Sequence, residues 1–121
     1  MVRVLIVDDS KTSRKMLRGI LEDAGMEIIG EAADGQEALK LFTALKPDVV
    51  TLDITMPVMD GINALKKIMA ADRTARVVMV TAAGQKGNVV EALKLGAFEF
   101  VTKPYDAEMI IEVIKKAMDK L

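Results

Sequence analysis

Short apolar runs alternate with longer amphipathic stretches along the whole chain. The short runs are rich in β-branched residues and apolar on both faces, which is typical of buried parallel strands. The longer stretches repeat apolar residues every three or four positions, which predicts helices with one buried face. The pattern predicts five strands, at residues 2–7, 26–32, 49–52, 77–80 and 98–101, and five helices, at residues 11–24, 36–45, 62–71, 88–95 and 106–120.

The ends of the first two helices carry signals of their own. Gly25 is placed to end the first helix in a left-handed conformation. Asp34 is a candidate N-cap of the second helix, and Glu37 three residues later completes a capping-box pattern. Either Asp9 or Ser10 could cap the first helix. An acid at the end of a strand can therefore be a simple cap with no chemical role.

Strands that alternate with helices over short connections predict right-handed crossovers and a parallel sheet with helices on both faces. We expect an α/β fold that is doubly wound and flavodoxin-like. The strand order 2-1-3-4-5 is taken from known five-stranded sheets of this kind rather than derived from the pattern. A chain of 121 residues has room for one such unit, so we expect a single domain over residues 1–121.

The composition restricts the chemistry and the partners. The chain has no cysteine and no histidine, which excludes disulfides, thiolate metal sites and histidine-based catalysis. A bound metal should then be a hard cation with oxygen ligands, such as Mg²⁺. The net charge of -1 argues against a nucleic-acid partner. No apolar run suits a bilayer and no signal peptide precedes the first strand, so we expect a cytoplasmic protein without a membrane partner.

Polar residues fall at the carboxyl ends of successive predicted strands. Asp8 and Asp9 follow the first strand, Asp53 the third and Thr81 the fourth, and Lys103 lies just past the fifth. Ligands of open parallel sheets bind beyond these ends, at the point where the strand order reverses. Three close carboxylates need a counter-charge, which Mg²⁺ and the lysine can supply. One carboxylate could then act as a nucleophile and form an acyl phosphate, with the threonine hydroxyl bonded to a phosphoryl oxygen.

Each of these residues also has an ordinary structural explanation. A lysine before a proline is most often a solvated loop residue, and threonine is common in strands. An acid that follows a strand often caps the next helix. The joint occurrence of acids, a hydroxyl and an ammonium group at one edge of the sheet nevertheless favours a Mg²⁺-dependent phosphoryl site.

Six segments match the motifs of one known family in order and spacing. They read VLIVDDS at 4–10, PDVVTLD at 47–53, MPVMDG at 56–61, VTA at 80–82, GA at 96–97 and VTKP at 101–104. On these segments the chain resembles, over its whole length, the receiver domain of two-component response regulators. The resemblance implies a phosphorylation switch rather than a conventional enzyme.

The resemblance also implies a role for each acid. Asp53 would be the phosphoacceptor. Asp8 and Asp9 would bind Mg²⁺ together with Asp53, and Thr55 would add its backbone carbonyl as a ligand. Lys103 would pair first with Asp53 and then with the phosphoryl group.

In this family a hydroxyl and an aromatic residue form the switch. Thr81 would move toward the phosphoryl group, and Phe100, three positions before the lysine, would swing into the space left behind. Many members carry tyrosine at the position of Phe100, and phenylalanine lacks the hydroxyl that could form a hydrogen bond to a partner. Simple core packing is therefore the alternative explanation of Phe100. A cis peptide bond before Pro104 would aim Lys103 inward.

Within the family, the chain looks like the single-domain chemotaxis regulators of the CheY type, through residues 53–57, 59–62, 84–85 and 96–100. This branch implies a CheA-like histidine kinase as phosphoryl donor, and a flagellar motor switch protein or a phosphatase as further partners of a monomer. Residues 10–15 do not follow the branch closely, which leaves the partner of the first helix open.

Other functions stay open beside the chemotaxis switch. The chain could be a phosphorelay intermediate that passes its phosphoryl group to a histidine phosphotransferase, or a receiver that controls another output. A Mg²⁺-dependent phosphatase with an aspartyl-phosphate is a weaker alternative, because Thr55 stands where such an enzyme needs a second acid. A receiver that binds its partners without phosphorylation is a further alternative, although all five site positions are intact, which argues against it.

Overall fold

Strands and helices alternate along the chain, of which the computed structural model describes residues 1–82 and 86–119. All strand pairs are parallel. The strands are β1 (Arg3–Val7), β2 (Glu27–Ala32), β3 (Val49–Asp53), β4 (Val77–Thr81) and β5 (Glu99–Thr102), and the helices are α1 (Lys11–Asp23), α2 (Gly35–Leu45), α3 (Gly61–Ala71), α4 (Lys86–Lys94) and α5 (Ala107–Asp119).

The five strands form one sheet in the order β2-β1-β3-β4-β5, which confirms the predicted fold class and strand order. Because β1 lies between β2 and β3, the chain reverses its direction of travel across the sheet after β2. Val7 of β1 pairs with Leu52 of β3, so Asp8 and Asp53 follow at adjacent strand ends. The reversal therefore opens a crevice between these two strands, which is where ligands of such sheets bind.

The element boundaries differ from the predicted ones by no more than two residues. The largest difference is at α4, which begins at Lys86 rather than at residue 88. β3 and β4 each continue into the polar residue that was predicted to follow them, Asp53 and Thr81. The predicted last residue of α5, Lys120, lies outside the described residues.

The two ends of α1 are fixed by side-chain and backbone hydrogen bonds. Ser10, rather than Asp9, is the N-cap: its hydroxyl accepts a hydrogen bond from the Ser13 N–H at 3.2 Å. At the other end Gly25 has a φ of 83° and donates its N–H to the Glu22 carbonyl, as predicted for a helix that ends at a glycine. Because Ser10 supplies the cap, the Asp9 carboxylate is not used for capping.

The start of α2 supports the loop that follows β3. Asp34 caps the helix, as predicted, by accepting from the Glu37 N–H at 2.8 Å, while the Glu37 carboxylate accepts from the Ala33 N–H at 2.9 Å. The Gly35 N–H donates to the Met59 carbonyl at 2.9 Å, and a Cβ on this glycine would come within 2.9 Å of the Met59 side chain. The loop is thus packed closely against α2.

Two apolar clusters cover the two faces of the sheet. Side chains alternate along each strand, so Leu5 and Val7 belong to one cluster and Val4 and Ile6 to the other. The first cluster buries the inner sides of α2, α3 and α4, and the second those of α1 and α5. None of the described helices has the length and hydropathy to span a membrane. Because both faces of the sheet are packed, the carboxyl ends of neighbouring strands are held at fixed distances from one another.

Candidate functional site

Three carboxylates meet at the carboxyl edge of the sheet. Asp8 and Asp9 follow β1, Asp53 ends β3, and one oxygen from each lies within 4.8 Å of the others. Asp8 and Asp53 are buried, with exposed fractions of 1% and 6%, whereas Asp9 is exposed. The structure therefore brings together the three acids that the sequence predicts at this edge, with the exposed one on the solvent side.

Asp8 is held in place through its backbone and one carboxylate oxygen. Its N–H donates to the Ala32 carbonyl of β2 at 3.0 Å, and its Oδ1 accepts from the Ser10 N–H at 2.9 Å. Its Oδ2 is buried and makes no well-aligned hydrogen bond within the described part of the chain, although the Lys103 ammonium is 2.8 Å away. A buried carboxylate oxygen with capacity to spare is a suitable ligand for a hard cation.

Lys103 lies between the two buried acids. Its Nζ is 2.8 Å from Asp8 Oδ2 and 3.4 Å from Asp53 Oδ2, so the predicted pairing with Asp53 exists but the contact with Asp8 is shorter. Its backbone N–H donates to the Thr81 carbonyl at 2.9 Å. The bond between Lys103 and Pro104 is cis, which confirms that prediction.

The charges of this site act on one another. Burial and, after it, the negative charge of Asp8 raise the pKa of Asp53 to about 6, although the Lys103 ammonium acts in the opposite direction. Burial lowers the pKa of Lys103, but its close contact with Asp8 and the charge of Asp53 outweigh that effect and raise the pKa overall. Asp53 is therefore poised to change its protonation closer to neutral pH than an exposed aspartate.

The two predicted switch residues lie on neighbouring strands. Thr81 is buried at the end of β4, and its hydroxyl donates to the Ala82 carbonyl at 3.1 Å. Phe100 on β5 pairs with Met79 of β4, so it lies two residues before Thr102, the partner of Thr81. Its ring is partly buried and packs against the cluster that includes α3 and α4. This contact is what the packing explanation requires, and the switching role stays a prediction.

The loop between β3 and α3 closes tightly over Asp53. The Gly61 N–H donates to the Ile54 carbonyl at 2.7 Å, and a Cβ at Gly61 would overlap the carbonyl oxygen of Asp53. Thr55 is exposed two residues after Asp53, and its carbonyl stays a predicted ligand. Val58 has a φ of 67°, an unusual conformation for a β-branched residue, and its side chain is 78% exposed.

Arg14 and Tyr105 belong to the surroundings of this site, although sequence analysis did not single them out. Arg14 Nη1 donates to the Asp8 carbonyl at 2.6 Å, and its Nε donates to Glu31 at 3.0 Å. Burial raises the pKa of the Tyr105 hydroxyl, and the nearby charges of Asp8 and Asp53 raise it further. Their sequence signal is weak, because an arginine on a helix and an aromatic residue after a proline are both common on ordinary surfaces.

A family model described as the response regulator receiver domain matches residues 4–115. The chain belongs to this family. Chemotaxis protein CheY of Listeria monocytogenes is 49% identical over 117 residues, which cover 97% of this chain and 98% of that protein. Protein CcdB of Bacillus subtilis is 48% identical over 118 residues, which cover 98% of each.

A solved structure shows the same relationship in three dimensions. The complex of CheX, CheY, BeF3 and Mg²⁺ from Borrelia burgdorferi matches with a TM-score of 0.93 and 42% identity, over 98% of this chain and 90% of that one. The chain is thus a receiver domain of the CheY type, and the resemblance found in the sequence is confirmed. Of the segments that suggested this branch, residues 84–85 lie outside the described residues.

Proposed function

We propose that this receiver accepts a phosphoryl group on Asp53 from a histidine kinase, with Mg²⁺, and thereby changes its affinity for a partner protein. The observation that carries the proposal is the meeting of a buried Asp53 with two further acids and an ammonium group at one sheet edge. The relatives named CheY support chemotaxis as the setting. A CheA-like kinase as the donor and a cytoplasmic location are further parts of the proposal.

The residues present fit a magnesium ion. Asp8, Asp9 and Asp53 would hold it, with the Thr55 carbonyl as a further ligand, and the buried Asp8 Oδ2 is the kind of donor that such an ion needs. When bound, the ion would neutralise the carboxylates and the oxygens of the transferring phosphoryl group. The presence of Mg²⁺ and BeF3 in the complex that contains the Borrelia burgdorferi CheY supports this assignment.

The chain's own groups would carry out the transfer. An ionised Asp53 oxygen would form the new bond to phosphorus, while the bond between phosphorus and the donor histidine nitrogen breaks. A pKa of about 6 leaves this carboxylate mostly ionised at neutral pH. Lys103, already within 3.4 Å of Asp53 Oδ2, needs only a small movement to pair with a phosphoryl oxygen instead.

The signal would then pass to the edge of the sheet that β5 forms. The Thr81 hydroxyl, which bonds the Ala82 carbonyl, would turn to a phosphoryl oxygen, and Phe100 would fill the space that it leaves. This movement would change the surface formed by α4, β5 and α5. A bias of a few kcal/mol between two such states is enough for a usable switch.

A different output with the same chemistry is the second candidate. Protein CcdB, which carries another name, is as similar to the chain as the CheY proteins are. Similarity at this level therefore does not by itself select a flagellar motor partner, and a phosphorelay role remains a competing hypothesis. A phosphatase remains the weaker alternative, because Thr55 is not an acid.

Intact-protein mass spectrometry after incubation with acetyl phosphate tests the proposal. We expect a gain of one phosphoryl group that requires Mg²⁺ and is absent from the Asp53→Asn variant. The absence of any gain in the wild-type protein contradicts phosphorylation at this site. Binding of the phosphorylated form to a motor switch protein then separates the chemotaxis role from the relay, since a relay intermediate needs no such gain in affinity.

A further inference from the structure

Two arginines of α1 share a single acid of β2, but only one of them reaches the acidic site. Arg14 Nε lies 3.0 Å from Glu31 Oε1, and Arg18 Nη2 lies 2.7 Å from Glu31 Oε2. Arg14 also donates through Nη1 to the backbone carbonyl of Asp8 at 2.6 Å. Arg18 instead pairs with the more exposed Glu22 at 3.2 Å. The two arginines therefore form a natural pair for comparison.

The guanidinium of Arg14 is held firmly enough to restrain what it touches. Its side chain is only 16% exposed, and that of Glu31 is 29% exposed. A planar guanidinium that bonds two partners at once fixes their relative positions, and charge-assisted hydrogen bonds are short and strong. Arg14 thus joins the carbonyl of Asp8 to β2 through Glu31.

This contact completes the restraint on Asp8. Its N–H is bonded to Ala32 of β2 and its Oδ1 to the Ser10 N–H, and Arg14 adds the third bond at the carbonyl. With its backbone fixed on both sides, the carboxylate of Asp8 stays directed at Asp53 and Lys103. Loss of a group that orients a metal ligand typically weakens metal affinity by about 10- to 100-fold.

The charge of Arg14 cannot by itself favour a cation at this site. A positive charge close to the acids opposes a second positive charge, and Glu31 offsets much of that effect by pairing with the guanidinium. Any gain in cation affinity from Arg14 must therefore come from the geometry that it imposes on Asp8.

We propose that Arg14, held by Glu31, is a positioning residue that fixes Asp8 for divalent-cation binding. The inference rests on the proposed function for the choice of Mg²⁺ as the cation. Arg18 has no part in this role, because its contacts to Glu31 and Glu22 stabilise the surface of α1 and β2 only.

The test is a titration of the full chain with Mg²⁺, followed by calorimetry and by the fluorescence of Tyr105. Tyr105 is the only tyrosine and the chain has no tryptophan, so its emission reports on the neighbourhood of Asp8 and Asp53. We expect Arg14→Met to weaken Mg²⁺ binding by about tenfold. Arg18→Met, which removes a contact to the same acid, should bind as the wild type does.

Stability measurements separate positioning from general damage. Urea denaturation without Mg²⁺ should show similar losses for Arg14→Met and Arg18→Met, since both remove an ion pair to Glu31. Arg14→Lys keeps the charge but lacks the rigid planar fork of donors that bonds Asp8 and Glu31 together, so we expect it to bind Mg²⁺ with an affinity between those of wild type and Arg14→Met. This variant also serves if Arg14→Met fails to fold, and wild-type affinity in it then contradicts the role.

The possible results are distinct. Equal Mg²⁺ affinity in the wild type and Arg14→Met overturns the role of Arg14 and leaves the metal site intact. Equal weakening in Arg14→Met and Arg18→Met also overturns it, because the effect would then follow stability rather than the contact with Asp8. No Mg²⁺ binding by the wild type overturns the metal site and this role together.

Discussion

Replacing Asp53 with asparagine should stabilise the protein at neutral pH when no divalent cation is present. In the folded chain, burial and the charge of Asp8 raise the pKa of Asp53 from 3.8 to about 6. In the unfolded chain the same carboxyl group is exposed and titrates near its ordinary value. Ionised Asp53 therefore favours the unfolded state, and asparagine, which fills nearly the same volume without a charge, removes that penalty.

The size and the pH range of the effect follow from the two pKa values. A rise from 3.8 to about 6 corresponds to a cost of up to about 3 kcal/mol when Asp53 is ionised in both states. Below the unfolded value both states are protonated, and the cost is absent. Between the two values the unfolded state ionises first, so the stability of the wild type falls as the pH rises. Above about 6 the full cost is present.

The assay is urea denaturation of wild type and Asp53→Asn in a chelator, at several pH values from about 4 to about 8. The difference in free energy of unfolding should grow from about 0.5 kcal/mol near pH 4 to about 3 kcal/mol near pH 8 in favour of the variant, because titrating groups that do not interact with Asp53 cancel in the subtraction. Asp23→Asn, which neutralises an exposed acid at the end of α1, is the matched control.

Two results would refute this reasoning. If the difference in free energy of unfolding between wild type and Asp53→Asn does not change with pH, Asp53 titrates alike in the folded and unfolded states. A wild type more stable than the variant at about pH 8 would mean that the ion pair with Lys103 outweighs burial and the repulsion from Asp8. Addition of Mg²⁺ at that pH should reduce the difference, because binding to the folded wild type stabilises it.

Three further predictions concern single side chains, each measured as the change in free energy of unfolding by urea denaturation. Thr51→Val should stabilise by about 1 kcal/mol, because the buried hydroxyl has no hydrogen-bond partner among the described residues, and a loss of stability would contradict this. Val58→Asn should stabilise by about 1 kcal/mol, since asparagine tolerates the left-handed conformation, and an unchanged value would mean that the valine is not strained there. Gly61→Ala should destabilise by about 2 kcal/mol, because the added Cβ meets the carbonyl oxygen of Asp53. The same overlap should slow phosphorylation of Asp53 by acetyl phosphate, and wild-type stability and rate in this variant would rule it out.

The fold was predictable because local signals agreed at every level. β-branched runs marked the strands, and Asp34 and Gly25 marked helix ends where the structure has them. The strand order came from known sheets, since no local pattern specifies which strands pair. The choice between Asp9 and Ser10 as the cap of α1 was also beyond the sequence, because both have suitable side chains and only the position of the first helical residue decides.

The acids of the site were predictable for a different reason. Asp8 and Asp53 directly follow buried strands, so the parallel sheet alone brings them to one edge. Arg14 reaches Asp8 only through the rotation of α1 about its axis, and Tyr105 approaches the acids only through the path of the chain after β5. Such contacts depend on packing angles that a pattern of apolar residues does not determine. The shorter contact of Lys103 with Asp8 is of the same kind.

The excess of negative charge connects the stability of the site with its proposed chemistry. Asp8, Asp9 and Asp53 face one ammonium group, Lys103, so full ionisation leaves two negative charges unbalanced at a largely buried edge. A proton on Asp53 relieves part of that excess, which adds to burial in raising its pKa. A divalent cation relieves all of it and leaves Asp53 ionised as a nucleophile. The same arrangement that costs stability in the isolated chain therefore favours the cation and the reactive form together.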